Sequence, residues 1–125
     1  MPKPKILIID DEPRVREVLR RALEDAYEVL EAGDGREGLA RAREALPHLV
    51  LLDIRMPALD GMTVLVRLKL DARTNAIPVV VVSVEGDVDA LLEGQQAGAS
   101  DHLIKPFKLD DLRAVIRRNL LVSEG

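Results

Sequence analysis

The sequence feature that most constrains the fold is a run of four apolar residues that ends in a carboxylate. Residues 49–52 read Leu-Val-Leu-Leu, Asp53 follows them, and Pro57 and Gly61 turn the chain soon afterwards. A short apolar run bounded by turn residues is typical of a strand that is buried on both faces, as in a parallel sheet. The run therefore predicts a central strand, with Asp53 at the point where this strand leaves the core.

The same pattern occurs twice more along the chain. Residues 6–9 are apolar and lead into Asp10 and Asp11, and the four valines at 79–82 lead into Ser83. In an open α/β sheet, ligands bind in the crevice outside the carboxyl ends of the strands. We therefore expect these polar side chains to share one site.

Strand and helix patterns alternate through the chain, which predicts an α/β fold. We expect a single-domain (βα)5 three-layer sandwich around a five-stranded parallel sheet. The flavodoxin-like strand order 2-1-3-4-5 is compatible with this pattern, although periodicity alone does not fix it. Beyond the three strands above, the pattern predicts a helix that begins near Pro13, an edge strand at 27–31, a helix from Asp34 to about Ala45, a helix at 60–70, a helix from about Asp87 to Ala97, a short strand at Leu103-Ile104 and a helix at 109–121.

Composition narrows the classes of function. The 125 residues suffice for one domain with its own core, and we treat 1-125 as that domain. The chain has no cysteine, which excludes disulfides and thiolate metal sites and fits a cytoplasmic protein. The net charge of −4 argues against direct binding of nucleic acid. The absence of a long apolar stretch argues against any association with a membrane by a spanning helix.

Carboxylates at neighbouring strand ends repel one another. At about 4 Å and an effective dielectric of about 20, each pair costs roughly 4 kcal/mol. The repulsion is relieved either by a raised pKa, so that one carboxyl keeps its proton, or by a bound cation. Oxygen ligands without Cys or a nearby His favour a hard ion, Mg²⁺ ahead of Ca²⁺. With Lys105 at the end of the fifth strand, the set suits phosphoryl transfer, and Asp53 is the best candidate nucleophile.

Four motifs in order resemble one known family. They are the run Asp10 to Pro13 after two isoleucines, the run Leu51 to Pro57 followed by Asp60-Gly61, Ser83 alone, and Lys105-Pro106-Phe107. Together they resemble the receiver domain of two-component response regulators, and most of all the chemotaxis regulators. The resemblance covers essentially the whole chain, and the separations between the motifs are usual for that family.

The resemblance implies a phosphoacceptor and a set of metal ligands. Asp53 would accept the phosphoryl group. Asp11 and Asp53 would bind Mg²⁺ directly, Asp10 would act through water, and Arg55 would contribute its main-chain carbonyl. A domain of this kind catalyses its own phosphorylation and dephosphorylation and is not an enzyme that acts on a separate substrate.

The resemblance also implies a switch. Lys105 would pair with the phosphoryl oxygens, and its bond to Pro106 is typically cis in the family. Ser83 would close onto the phosphoryl group and start the change of the partner-binding surface. The sequence departs from the family pattern at Val84, where a smaller residue is usual, and at His102, where Tyr or Phe is most frequent. We expect His102 to remain largely outward and to contact the partner.

By the same resemblance, three residues would flank the predicted crevice, namely Arg55, Val84 and Glu85. We expect Val84 to narrow the entry to the phosphoryl site. A salt bridge from Arg55 to Glu85 across the mouth would shield the aspartyl phosphate from water, and two solvated charges that never meet are the equally open alternative. An exposed pair of this kind contributes only about 0.2–1 kcal/mol to stability.

The predicted function is therefore a bacterial signalling switch in a phosphorelay. Its partners would be a histidine kinase or histidine phosphotransfer protein and a downstream protein or fused effector domain. One alternative is a pseudo-receiver, a protein-interaction module that does not use the phosphate. A flavodoxin-like electron carrier lacks its hydroxyl-rich phosphate loop and aromatic residues here, and a dehalogenase-type phosphatase would have Asp where Arg55 stands.

Overall fold

The computed structural model describes residues 2–56 and 59–124, and Pro57 of the predicted turn lies outside them. Five strands and five helices alternate along the chain. The strands are β1 (Lys5–Ile9), β2 (Glu28–Ala32), β3 (Leu49–Asp53), β4 (Val79–Val84) and β5 (Asp101–Lys105), and the helices are α1 (Pro13–Leu23), α2 (Gly35–Ala45), α3 (Gly61–Leu70), α4 (Val88–Gln96) and α5 (Leu109–Glu124).

All strand pairs are parallel, and the sheet has the order β2-β1-β3-β4-β5. This order confirms the predicted topology and places the polar strand β2 at an edge. Strand β3 is buried along its whole length, as the apolar run predicted. The fifth strand is longer than the predicted pair of residues because Asp101 and Lys105 also pair with β4.

Two apolar clusters, one on each face of the sheet, make the three layers. One cluster joins the sheet to α2, α3 and α4 through residues such as Leu39, Leu65 and Ala90. The other joins it to α1 and α5 through residues such as Leu19 and Ile116. Helices therefore cover both faces of the sheet.

Local signals explain where the helices begin and end. The carboxylates of Asp34, Asp60 and Asp87 accept hydrogen bonds from backbone N–H groups in the first turns of α2, α3 and α4. After α4, Gly98 adopts a φ of 102°, which only glycine tolerates easily. Helix α3 packs so closely on the end of β3 that a Cβ at Gly61 would clash with the Asp53 carbonyl and the Ile54 Cα.

Candidate functional site

The carboxyl ends of four strands bring the predicted polar residues together. Ile9 lies opposite Leu52, so that Asp10 continues alongside Asp53 at the same edge. Asp53 in turn lies opposite Val82, directly before Ser83. Lys105 ends β5 opposite Val84. The parallel register is therefore what assembles the site.

Asp53 is a buried carboxylate, with only 8% of the residue exposed. Its pKa is raised to about 6, chiefly because burial removes water from the charged form. The charges of Asp10 and Asp11 raise it further, whereas the backbone N–H of Arg55 and the ammonium of Lys105 lower it. That N–H donates to Asp53 Oδ1 at 3.1 Å. The predicted repulsion between the carboxylates is therefore present, but burial raises the pKa of Asp53 more than this repulsion does.

An acidic cluster lies beside Asp53. One carboxylate oxygen from each of Asp10, Asp11 and Glu12 lies within 4.8 Å of the others. Asp10 is buried, Asp11 half-buried and Glu12 exposed. Glu12 was not among the predicted ligands, although it directly follows the Asp pair, because an exposed acidic residue is common without any ligand. A set of oxygen donors with this excess of negative charge fits a hard divalent cation.

Lys105 is the cation that faces this cluster. Its Nζ lies 3.5 Å from Asp10 Oδ2, and its side chain is 24% exposed. The Lys105–Pro106 bond is cis, as expected from the resemblance. Ser83 is also buried, at 4% exposure, and lies one residue beyond the register partner of Asp53. One ammonium and one hydroxyl are therefore available at an edge that carries several carboxylates.

The predicted salt bridge from Arg55 to Glu85 is wrong. Arg55 instead donates from Nε and Nη2 to the two carboxylate oxygens of Asp87, at 2.8 and 3.0 Å. Asp87 also accepts from the Ala90 N–H as the cap of α4, and this fixed carboxylate matches the planar guanidinium. Glu85 is exposed, and its backbone N–H donates to the Lys105 carbonyl at 3.1 Å. Neighbouring position in sequence predicted the wrong carboxylate.

His102 and Val84 occupy the two sides of β4 and β5. His102 is half-buried and lies opposite Val81, beside a cavity of about 200 Å³ that Leu91 and Gln95 of α4 also line. It is therefore less outward than predicted, because α4 covers that face of the sheet. Val84 is 56% exposed. It lines an apolar groove on the α1 side, and together with Ser83 and Asp87 it also lines a smaller pocket of about 100 Å³.

Comparison with known proteins agrees with this geometry. A family model described as response regulator receiver domain matches residues 6–117. The chain is 41% identical over 115 residues to the DNA-binding dual master transcriptional regulator RpaA of Synechocystis sp., covering 91% of this chain and 48% of that protein. It is 42% identical over 120 residues to the transcriptional regulatory protein PrrA of Mycobacterium tuberculosis, covering 92% and 51%. The chain thus spans about half the length of these relatives.

Solved structures share the fold. The chemotaxis response regulator CheY4 of Vibrio cholerae superposes with a TM-score of 0.87 at 31% identity, covering 93% of this chain and 98% of that one. The receiver domain of NtrX from Brucella abortus gives 0.86 at 35% identity, covering 92% and 97%. None of the helices in the described residues is long and apolar enough to cross a membrane. The fold, the site and the match over residues 6–117 lead to one conclusion: the chain belongs to the response regulator receiver domain family.

Proposed function

We propose that this domain accepts a phosphoryl group on Asp53. The observation that carries the proposal is one buried carboxylate at the end of the central strand, between an acidic cluster and Lys105. Since the pKa of Asp53 is about 6, its carboxylate is largely ionised at neutral pH and can act as a nucleophile. The donor in this proposal is a phosphorylated histidine of the partner protein. An Asp53 oxygen forms a bond to phosphorus, the bond from phosphorus to the histidine nitrogen breaks, and the leaving imidazole takes a proton.

The acidic cluster would hold a divalent cation, and Mg²⁺ fits its oxygen donors. Asp10 and Asp11 are the proposed protein ligands together with Asp53 and the Arg55 carbonyl, and Glu12 joins them as a candidate. When bound, the ion supplies positive charge against the phosphoryl oxygens. The chain's own contribution is to hold these carboxylates together before any phosphoryl group arrives.

Lys105 and Ser83 complete the site from the neighbouring strands. The Lys105 ammonium lowers the pKa of Asp53 and in our proposal pairs with a phosphoryl oxygen. The Ser83 hydroxyl is buried at the end of β4, in the strand that leads through Asp87 into α4. A hydroxyl that turns toward the phosphoryl group would therefore pull on the loop before α4. This is the proposed start of the signalling change.

The phosphoryl donor has to reach Asp53 from outside, and an apolar groove lies next to the site. The groove has a volume of about 600 Å³ and lies between α1 and the loop after β5. Lys105 belongs both to this groove and to the site. We propose that a histidine kinase or histidine phosphotransfer protein docks here, on the apolar residues Val15, Val18, Leu19, Val84, Phe107 and Leu109.

The relatives suggest an output for the whole protein. RpaA is described as a DNA-binding regulator, and PrrA as a transcriptional regulator, and this chain corresponds to about half of each. We propose that the domain controls an effector that binds DNA or a downstream protein, while the acidic receiver itself does not contact nucleic acid. The earlier expectation of no nucleic acid partner therefore applies to this domain alone. No specific observation favours a pseudo-receiver.

The test of Asp53 is intact-mass analysis after incubation with Mg²⁺ and a small phosphodonor such as acetyl phosphate. The parent should gain one phosphoryl group, Asp53→Asn should gain none, and EDTA should abolish the gain. Asp34→Asn is the matched control, because Asn caps a helix as well as Asp does and Asp34 lies outside the site. Equal phosphorylation of Asp53→Asn would reject the assignment.

The groove needs a separate test. Val18→Glu places a charge on the exposed apolar wall, whereas Val66→Glu does the same on an exposed valine of α3. Transfer from a phosphorylated donor protein should slow in Val18→Glu and not in Val66→Glu, while both accept phosphoryl from acetyl phosphate at the parent rate. Equal transfer rates for both variants would exclude docking in the groove.

A further inference from the structure

Arg16 lies behind the acidic cluster and outside the set of residues assigned above. It stands in α1, and its side chain is only 18% exposed. The Nη1 of its guanidinium donates to the backbone carbonyl of Asp10. The Nε donates to Glu31 Oε1 of β2 at 3.3 Å. One side chain thus ties the end of β1 to its neighbouring strand and to the helix that follows.

This contact completes the fixation of Asp10. The N–H of Asp10 donates to the Ala32 carbonyl at 3.1 Å, and its Oδ1 accepts from the Glu12 N–H at 2.8 Å. Its Oδ2 faces the Lys105 ammonium at 3.5 Å. With Arg16 on the carbonyl, every polar group of Asp10 has a partner. Asp11 and Glu12 directly follow Asp10 in the chain. The hydrogen bonds and the ion pair that fix Asp10 therefore also restrict where these two carboxylates lie.

From these contacts we propose that Arg16 is a positioning residue for the cation site, a proposal that rests on the proposed function. A positive charge this close would by itself repel a cation, so its benefit has to come from geometry. The carboxylate of Glu31 offsets that charge. Groups that hold metal ligands in place typically influence metal affinity by about 10- to 100-fold when they are replaced.

Lysine cannot do what arginine does here. A guanidinium presents several N–H groups in a rigid plane and can bond two acceptors at once, whereas an ammonium is a compact charge on a flexible stem. Arg16→Lys therefore keeps the charge and removes the fork. Mg²⁺ requires nearly ideal octahedral geometry, while Ca²⁺ accepts irregular sites. Loss of positioning should consequently weaken Mg²⁺ binding more than Ca²⁺ binding.

Arg20 provides a matched control one turn further along α1. Its Nε lies 3.4 Å from the other oxygen of the same Glu31 carboxylate, and no contact of Arg20 with Asp10 is seen. Arg20→Lys therefore makes the same chemical change, next to the same carboxylate, without touching the turn that carries the acidic cluster. Glu31→Gln is a second variant, which keeps both arginines and removes the charge that anchors them.

The experiment measures the Kd of Mg²⁺ and of Ca²⁺ by isothermal titration calorimetry for the parent and the three variants. Arg16→Lys should raise the Mg²⁺ Kd about 10-fold and the Ca²⁺ Kd less than about threefold. Arg20→Lys should leave both within about twofold of the parent, and Glu31→Gln should lower the ratio of Mg²⁺ to Ca²⁺ affinity in the same direction as Arg16→Lys.

Three results would overturn the role of Arg16: an unchanged Mg²⁺ Kd in Arg16→Lys, an equal loss in Arg20→Lys, or equal losses for Mg²⁺ and Ca²⁺. A parent that binds no Mg²⁺ would instead reject the cation site of the proposed function. If Arg16→Lys does not fold, judged by its melting transition, Glu31→Gln decides, and an unchanged ratio of affinities in that variant rejects the proposal.

Discussion

The two edges of the sheet treat their carboxylates in opposite ways. At the carboxyl edge, burial and the charges of Asp10 and Asp11 raise the pKa of Asp53 to about 6. At the amino edge, burial would raise the pKa of Asp101, but hydrogen bonds from Arg118, Asn119 and the His102 N–H lower it to about 2.

Asp71 repeats the pattern of Asp101 in the turn after α3. Hydrogen bonds from the side chain and backbone of Arg73, and from the side chain of Arg43, lower its pKa to about 2. Asp71 and Asp101 are therefore both paired with arginine side chains. Among the described residues no arginine forms an ion pair with Asp53, and the guanidinium of Arg55, two residues away, pairs with Asp87. Stability is given up at the edge where a cation and a phosphoryl group are proposed to bind.

The largest expected effect is that of Asp53→Asn on the protein without metal. A pKa raised from 3.8 to about 6 means that ionised Asp53 destabilises the fold by up to about 3 kcal/mol. In the parent, protonated Asp53 contributes fully to stability below pH 3.8, and this contribution is lost as the pH rises through about 6. Asn, which does not ionise, should therefore stabilise the fold by about 3 kcal/mol at pH 7.5 and roughly half of that at pH 5.

Urea denaturation in EDTA at the two pH values measures this gain. If Asp53→Asn were less stable than the parent at pH 7.5, or if its gain in stability did not grow with pH, then ionised Asp53 would not destabilise the fold.

The same substitution at the amino edge should have the opposite sign. A folded pKa of about 2 means that ionised Asp101 stabilises the fold, with the full contribution above pH 3.8 and its loss as the pH falls toward 2. Asp101→Asn should cost about 1–2 kcal/mol at pH 7, and the cost should shrink in acid. Denaturation curves of Asp53→Asn and Asp101→Asn, recorded under the same conditions, measure the two changes in stability. If Asp101→Asn also stabilised the fold, the two edges would not treat their carboxylates in opposite ways.

Gly94→Ala changes no charge and therefore serves as a reference for Asp53→Asn and Asp101→Asn. Gly94 lies inside α4, and a Cβ there would make ordinary contacts, 3.6 Å from Val81 Cγ2 and 3.9 Å from Ala99 Cβ. Because glycine is a poor helix residue, Gly94→Ala should stabilise the fold by up to about 1 kcal/mol. The gain should be equal at pH 5 and pH 7.5 and with or without Mg²⁺. A gain that changed with pH would show that α4 senses the charges of the site.

The smallest expected effect concerns the fork between Arg55 and Asp87. It joins the loop after Asp53 to the cap of α4, and Arg55 is 58% exposed. Arg55→Ala should speed dephosphorylation about two- to fivefold, a small change because an exposed ion pair is weak. Glu85→Ala is the control and should keep the parent rate. Loss of phosphate followed by intact mass decides, and equal rates in all three proteins would leave the fork without a role in phosphate lifetime.

Buried apolar periodicity predicted the fold well. The apolar runs at 49–52 and 79–82 indicated strands buried on both faces of a parallel sheet, and the polar ends of two such neighbouring strands meet at one edge. The strand order needed a resemblance, since periodicity carries no information on which strands are neighbours. The fifth strand was underestimated because its terminal residues, Asp101 and Lys105, are polar and are used for an ion pair and for the site.

Side-chain partners were the part that sequence could not supply. Both Glu85 and Asp87 are acidic and close to Ser83, and only the direction of the turn before α4 gives Arg55 to Asp87. The contact of Arg16 with the Asp10 carbonyl joins a side chain to a backbone oxygen, and no residue pattern marks such a bond. Glu12 stands next to the Asp pair, but exposed acidic residues are common without a ligand, so its type alone does not mark it as one.

The most direct test of the central claim is the titration of individual side-chain carboxyl groups by ¹³C NMR in EDTA. We expect Asp53 to titrate near pH 6, whereas Asp71 and Asp101 should titrate near pH 2. Addition of Mg²⁺ should lower the pKa of Asp53 and leave the other two unchanged. If Asp53 titrated at or below pH 3.8 without metal, or if Mg²⁺ left its pKa unchanged, the proposed difference between the two edges of the sheet would be wrong.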